Sequence, residues 1–361
     1  PRTGLPPSPR GWLVVTAKNR ALDLLRREAK RGPKEQEALA VLSRPEPDRP
    51  SESVLRDDLL RLVFTCCHPS LSPDVQVALA LRTLCGLTTP EVARALLVSE
   101  ATMAKRLTRA RQKIARAAIP YRVPNDAELP DRLSAVAATV YLVFNEGYAA
   151  SAGAEHLRTE LATDAIRLGR LLHELLPDEP QVHGLLALML LQHARRETRL
   201  DEVGELVLLA DQDRSRWDLE AIHEGVVLVG EGLRRTPEHP DPYVVQAAIA
   251  ACHGLALTPE ETDWGAITSW YEVLLTVLDT PVVRLNHAVA VGERDGPAAG
   301  LVLVDGIEGL VAYPLWHASR AELLARLGRA DEARTAWREA ASLPISEAQR
   351  AFLLRRAERA G

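Results

Sequence analysis

Residues 87–118 restrict the fold most strongly, because two short amphipathic segments follow each other there across a tight turn. Thr89 is placed to cap the first segment as a helix, with a proline in the first turn, where a backbone N–H lacks a helical partner in any case. Residues 97–98 form the turn, and Ser99 is a natural N-cap for a second, longer helix. The pattern therefore predicts a helix-turn-helix.

The second of these helices has one apolar and one cationic side. Its apolar residues recur at steps of four, three and four and form one buried stripe: Met103, Leu107, Ala110 and Ile114. Between residues 95 and 122 there are seven Lys/Arg and one acid. A cationic face with a Ser/Thr-rich start fits a major groove, its first residues near base edges and its later ones near phosphates. We therefore predict DNA binding, against the alternative of a solvated basic helix. The predicted contact residues are Ser99, Thr102, Lys105, Arg106, Arg109 and Lys113.

Charge divides the chain into a basic and an acidic part. Residues 1–122 carry 22 Lys/Arg and 12 Asp/Glu, a net charge of +10, and residues 123–361 carry 22 and 37, a net charge of −15. The basic part has the electrostatic footprint of a polyanion binder. DNA would repel the acidic part, which therefore either masks its neighbour or binds something else. Two ordinary solvated surfaces are the alternative.

Two sequence motifs resemble one protein family. Residues 8–32 predict a helix that Ser8 caps and Gly32 ends, and the prolines and charges of residues 44–53 predict a linker. Within this helix, WLVVTAKNRALDLLRR resembles the end of the second conserved region of the extracytoplasmic-function sigma factors, bacterial promoter-recognition subunits of RNA polymerase. Beyond the linker, LTTPEVARALLVSEATMAKRLTRARQKI resembles the helix-turn-helix of their fourth region. Two motifs in this order are more specific than either alone.

The resemblance implies core RNA polymerase and promoter DNA as partners. The first helix would help to read and melt the −10 promoter element, and the helix-turn-helix would read the −35 element. Melted bases are held by aromatic stacking and by polar and cationic groups. The matching −10 positions are Trp12, Lys18, Asn19, Arg20, Asp23, Arg26 and Arg27. The earlier part of the second region, which grips the polymerase clamp, has no counterpart in this sequence, so we expect either a fragment or a misplaced start.

Residues 119–361 predict successive amphipathic helices separated by Gly and Pro. The stretch HASRAELLARLGRADEARTAWREAASLP matches the tetratricopeptide pattern, with Gly328 in the turn and His317 where the repeat usually has Trp. Its close-packing positions are Ala333, Trp337 and Ala340. Helix pairs of this kind stack into a solenoid. The arrangement resembles a sigma-factor subgroup with a tetratricopeptide-like C-terminal extension, to which FNEGY and PVVRLNHAVAV are also similar.

Several other functions are disfavoured. The Cys-Cys-His of residues 66–68 suggests a metal site, but adjacent cysteines are poorly spaced for tetrahedral zinc, so we expect packed thiols. Four cysteines make no disulfide framework, which favours the cytoplasm, and no stretch of about eighteen apolar residues exists to span a membrane. The His-Glu of residues 223–224 lacks the second histidine of a zinc protease, because Val227 takes its place. We expect no enzyme activity and no cofactor.

The sequence thus predicts an all-α chain of sigma-type helical DNA-binding modules followed by a tetratricopeptide-like helical-repeat domain. The predicted parts are the end of sigma region 2 (1–43), the linker (44–53), the region 4 helix-turn-helix (54–118) and the repeat extension (119–361). The predicted function is promoter specificity for RNA polymerase, with the repeats regulating or supporting activity through protein contacts. Two alternatives stay open: a free-standing helix-turn-helix regulator with a repeat sensor domain, and a helical-repeat scaffold.

Overall fold

A computed structural model gives the architecture of the chain. It describes residues 52–96, 98–148, 159–202, 206–343, 345 and 347–359. The regular elements in these ranges are helices, accompanied by one isolated antiparallel bridge between Leu200 and Leu206. The predicted all-α class is confirmed. The helix predicted for residues 8–32 lies outside the described residues.

The chain divides into two compact units, residues 1–139 and 140–361. The described part of the first unit consists of four helices and the beginning of a fifth. They are α1 (Glu52–Cys66), α2 (Pro73–Leu79), α3 (Thr89–Ala95), α4 (Glu100–Arg116) and α5 (Leu129–Tyr148). A π-helical segment, Ala80–Leu84, continues α2, and Gly86 at φ +76° ends it in a conformation that favours glycine. Helix α1 begins two residues inside the predicted linker.

The first unit extends beyond residue 118, the predicted end of the module. The Tyr121 hydroxyl donates to the Asp58 carbonyl at 3.2 Å, and the Thr139 hydroxyl donates to Gln76 Oε1 at 3.1 Å. Arg132 donates to the carbonyl of Phe64, which lies in the last turn of α1 and has no helical N–H to accept. Residues 119–139 therefore hydrogen-bond to α1 and α2, which local patterns in the sequence do not reveal.

Three cysteines lie in the core of the first unit. Cys66, Cys67 and Cys85 are buried, and none of them forms a disulfide. Burial raises the pKa of Cys66 to about 12 and raises the pKa of Cys67 still further. Thiols in such surroundings stay protonated and pack as small apolar groups.

The second unit is a stack of helices that pack mainly on their neighbours in the chain. After the end of α5 come α6 (Thr159–Leu175), α7 (Pro180–His193), α8 (Leu219–Arg235), α9 (Pro242–Leu255), α10 (Trp264–Val277), α11 (Pro281–Arg294), α12 (Pro297–Asp305), α13 (Pro314–Arg326), α14 (Ala330–Ser342) and α15 (Glu347–Arg359). Helix α7 is buried almost throughout because α6, α8 and α9 all pack against it. A helix that is apolar all round requires such surroundings.

The helix pair expected from the repeat pattern is present as α13 and α14. Gly328 adopts φ +76° in the turn between them, which explains the glycine. Ala333, Trp337 and Ala340 are buried where the two helices pack. His317 is buried in the position of the usual Trp and contacts the Val311 carbonyl through Nε2 at 2.8 Å.

Helices α7 and α9 approach each other closely at a glycine. A Cβ atom on Gly184 of α7 would lie 2.3 Å from the backbone nitrogen of Val244, the third residue of α9. Backbone atoms cannot rotate away as a flexible side chain can. Gly184 therefore sets the distance between these two helices.

We expect Gly184→Ala to lower the free energy of unfolding by about 1–3 kcal/mol, because α7 and α9 must separate to admit a methyl group. The control is Gly230→Ala on α8, where the nearest contact of a Cβ is an arginine side chain at 3.4 Å. This change should be neutral or stabilising by up to about 1 kcal/mol. Urea denaturation followed by tryptophan fluorescence measures both, since five of the six tryptophans lie in the second unit. Equal stability of the two variants would contradict the close approach.

Candidate nucleic-acid interface

Helix α3 is fixed at its start by a reciprocal capping box. The Thr88 hydroxyl accepts the backbone N–H of Glu91 at 3.4 Å, and the Glu91 carboxylate accepts the N–H of Thr88 at 2.6 Å. The prediction that Thr89 caps this helix is wrong by one residue, since Thr89 is its first residue. The Thr-x-x-Glu spacing that defines a capping box begins at Thr88.

Helix α4 begins at the predicted cap. The Ser99 hydroxyl accepts the backbone N–H of Thr102 at 3.2 Å, and the two side-chain hydroxyls lie 2.8 Å apart. Glu100 in the first turn is favourable beside the positive end of the helix dipole. Both Ser99 and Thr102 are exposed, so their hydroxyls can reach a partner outside the protein.

The predicted apolar stripe holds α4 on the rest of the first unit. Met103, Leu107 and Ala110 are buried, and Ile114 is half-buried. Helices α2 and α3 pack against α4. Full burial of a side chain such as that of Met103 or Leu107 stabilises a fold by about 1.5–3 kcal/mol. The stripe therefore fixes the rotation of α4 about its axis.

The opposite surface of α4 carries cations on one flank. At about 3.6 residues per turn, Thr102, Lys105, Arg109, Lys113 and Arg116 fall on the same side of the helix. All five are exposed. In the described part of the chain, no ion pair involves Lys105, Arg109 or Lys113. The other flank has only Arg111 among Ala104, Thr108 and Ala115. We call the first group the cationic flank.

Arg106 lies differently from the other predicted contact residues. Its side chain is 27% exposed, and its Nη2 lies 4.0 Å from a carboxylate oxygen of Asp74 on α2. The Asp74 side chain is 78% exposed. An ion pair this open to water is worth about 0–1 kcal/mol, so it orients Arg106 without preventing a contact with DNA. Asp74 was missed from the sequence because it contacts Arg106 only through the packing of α2 on α4.

The structure thus gathers five of the six predicted helix-turn-helix residues on an exposed surface and leaves Arg106 partly paired. Arg116, whose exposure on the cationic flank matches that of the predicted residues, lies further along the same surface. The seven predicted −10 positions lie outside the described residues and stay predictions. Where the structure describes the chain, no three His, Cys, Asp or Glu side chains gather closely enough to hold a metal ion.

The helix-turn-helix coincides with a match to a known family. Residues 61–114, from the middle of α1 to the last turn of α4, match the family described as sigma-70, region 4. This match supports a relationship of the helix-turn-helix module to the sigma-70 family. The matched range includes every predicted contact residue of the helix-turn-helix.

Further matches cover the remainder of the chain. Residues 132–232 match a family of unknown function (DUF6596), a range that runs from α5 to α8. An uncharacterized protein of Rhizobium meliloti (strain 1021) is 45% identical over 359 residues, which is 98% of this chain and 84% of that protein. The two proteins therefore belong to one family along nearly the whole chain. As for membranes, none of the helices in the described ranges is both long and apolar enough to cross a bilayer.

We expect Arg109→Ala to weaken the binding of duplex DNA by about 1–3 kcal/mol if Arg109 contacts a base. If Arg109 contacts a phosphate instead, the loss of affinity should be smaller, and the slope of the logarithm of the binding constant against the logarithm of the salt concentration should be less steep by about one. The matched control is Arg111→Ala, which removes the same charge from the other flank of α4. Fluorescence anisotropy at several salt concentrations measures both. If the two variants lose the same affinity, the cationic flank has no special part in binding.

Proposed function

We propose that this protein is an extracytoplasmic-function sigma factor that gives core RNA polymerase its promoter preference. The observation that carries the proposal is the exposed cationic flank of α4, where Lys105, Arg109 and Lys113 form no ion pair with any described residue, on a helix-turn-helix with both helices capped. The match of the same residues to sigma-70 region 4 supports it.

In this proposal α4 enters the major groove of the −35 element. The exposed hydroxyls of Ser99 and Thr102 meet base edges or the nearest phosphates, and Arg109 is able to form a bidentate contact with guanine. Lys113, one turn further along, neutralises phosphates. The positive end of the helix dipole favours a phosphate at the start of α4. The work of the protein is binding and needs no covalent chemistry.

Asp74 has a positioning role in this arrangement. With its carboxylate 4.0 Å from Arg106, it holds that guanidinium beside α2 until DNA offers a stronger partner. A phosphate or a guanine edge also competes well for a cation whose present partner is exposed to water. Arg106 is therefore the contact residue whose orientation depends on a second helix.

The resemblance of residues 12–27 to the second sigma region supports a role in opening the −10 element. Trp12 would stack on a melted base, and the polar and cationic side chains that follow would hold the unpaired strand. A protein that works on promoters with RNA polymerase acts in the cytoplasm of a bacterium.

Run-off transcription with purified core RNA polymerase tests the proposal. The full-length protein should direct initiation at specific promoters of its own genome, and Arg109→Ala should lower this activity more than Arg111→Ala does. Association with core polymerase is measured in parallel by size-exclusion chromatography. Specific DNA binding without association to core would favour a free-standing regulator with a repeat sensor domain. The absence of both specific DNA binding and association with core polymerase would favour a helical-repeat scaffold.

We further propose that the second unit, a tetratricopeptide-like extension, supports promoter use by docking on a protein partner. Stacked helix pairs expose broad surfaces suited to a partner, and residues 123–361 carry a net charge of −15, which disfavours contact with DNA. The competing possibility is masking, in which the acidic extension covers the basic part of the chain.

A deletion that tests the extension must keep residues 119–139, since they belong to the first unit. Removal of residues 140–361 should leave duplex affinity unchanged and lower transcription if the extension docks on a partner. If it masks the basic part, the deletion should instead raise duplex affinity, most clearly at low salt, because surface charges are screened within about 10 Å at about 0.1 M. If the protein without residues 140–361 is unchanged in both duplex affinity and transcription, the extension has no role in promoter use.

A further inference from the structure

A cavity of about 330 Å³ lies inside the second unit. Helices α7, α9, α10 and α11 form most of its lining, and Tyr141 contributes from α5. Its volume is at the lower end of the range of about 300–1,000 Å³ that small-molecule sites occupy. Such sites combine apolar walls with a few polar groups that fix the orientation of a ligand.

The walls of this cavity have that mixed character. Leu188, Ile249 and Leu274 provide apolar surface, and the amides of Gln192 and Gln246 provide hydrogen-bonding groups. Although residues 123–361 carry a net charge of −15, no Asp or Glu occurs among the described residues that line the cavity. Among these described residues, the one charged side chain is an arginine.

This arginine, Arg195, is half-buried and has no carboxylate partner among the described residues. Its guanidinium donates to the Tyr148 hydroxyl and to Gln192 Oε1, the latter at 3.0 Å. Many arginines of the second unit pair with a carboxylate instead, as in Arg170–Glu224, Arg235–Asp178 and Arg320–Asp305. A partly desolvated cation without an anion is unfavourable, so the position of Arg195 favours an anionic partner.

Other polar groups of the cavity can donate to an anion. Burial raises the pKa of Tyr141 and of Tyr271 to about 12 each, so both phenols keep their protons. Burial, followed by the charges of Arg195 and Arg214, lowers the pKa of His253 to about 4. The neutral imidazole leaves Nδ1 buried without a hydrogen-bond partner in the described part of the chain.

We propose that this cavity binds a small organic anion, with its carboxylate against Arg195 and its apolar body against Leu188, Ile249 and Leu274. A single cation matches a single negative charge, and the apolar walls require a hydrocarbon body, which inorganic phosphate lacks. This binding site goes beyond the proposed function. It is tested without DNA or polymerase, so either proposal can fail alone.

The test measures the melting temperature of the full chain with phenylacetate and octanoate, each compared with its uncharged primary amide. Both carboxylates should raise the melting temperature as their concentration rises, because a ligand that binds only the folded chain stabilises it. The amides should have little effect. Isothermal titration calorimetry then gives the dissociation constant of the better carboxylate.

Three variants test whether the carboxylate binds in this cavity. Arg195→Gln should weaken carboxylate binding about tenfold or more, as the loss of a charge-assisted hydrogen bond predicts, and Arg195→Lys should recover part of it. Ala250→Leu should block the cavity with the charge left in place. The control is Arg235→Gln, which removes an exposed arginine paired with Asp178 and should bind like the parent.

Several results would overturn the proposal. They are the absence of binding by both carboxylates, equal binding of carboxylates and amides, and full binding by Ala250→Leu. If Arg195→Gln does not fold, Arg195→Lys and Ala250→Leu decide the question, since one keeps the charge and the other keeps Arg195.

Discussion

The burial of one apolar stripe determines which side of α4 meets solvent, and the candidate interface depends on it. Met103 and Leu107 each contribute about 1.5–3 kcal/mol by burial, whereas the Arg106–Asp74 ion pair is worth about 0–1 kcal/mol. Apolar packing therefore sets the rotation of the helix, and electrostatics only adjusts the side chains that this rotation exposes. The two N-terminal caps also help to position the interface, because they fix where α3 and α4 begin.

The arginines of the two units differ in their exposure and in the groups that they contact. On the cationic flank of α4 the charged side chains are exposed and available to a polyanion. In the second unit many arginines pair with an aspartate or glutamate, so much of its positive charge is neutralised within the unit. Arg195 and Arg199 are among the arginines that differ. Both contact Tyr148, with the Arg199 guanidinium 3.5 Å from the ring centroid, and neither has a carboxylate partner among the described residues. Cation–π contact of this kind only partly replaces an anion.

Local patterns in the sequence predicted local structure well. The stripe of α4, its cap at Ser99 and the pair α13–α14 all follow from spacings within about thirty residues. The Asp74–Arg106 contact, the packing of residues 119–139 on α1 and the cavity of the second unit were not predicted. Each depends on residues brought together from distant parts of the chain, and contacts of this kind cannot be predicted from local spacings in a single sequence.

The buried thiols of the first unit determine how the protein responds to oxidants and alkylating reagents. A cysteine reacts as a thiolate that solvent can reach, and Cys66, Cys67 and Cys85 are buried, with the pKa of Cys66 and of Cys67 raised. Cys252, on α9, is the one partly exposed cysteine of the four, and burial raises its pKa as well. The thiols of the native first unit are therefore protected from oxidants and alkylating reagents, and a maleimide dye on the folded chain should react first, and slowly, at Cys252.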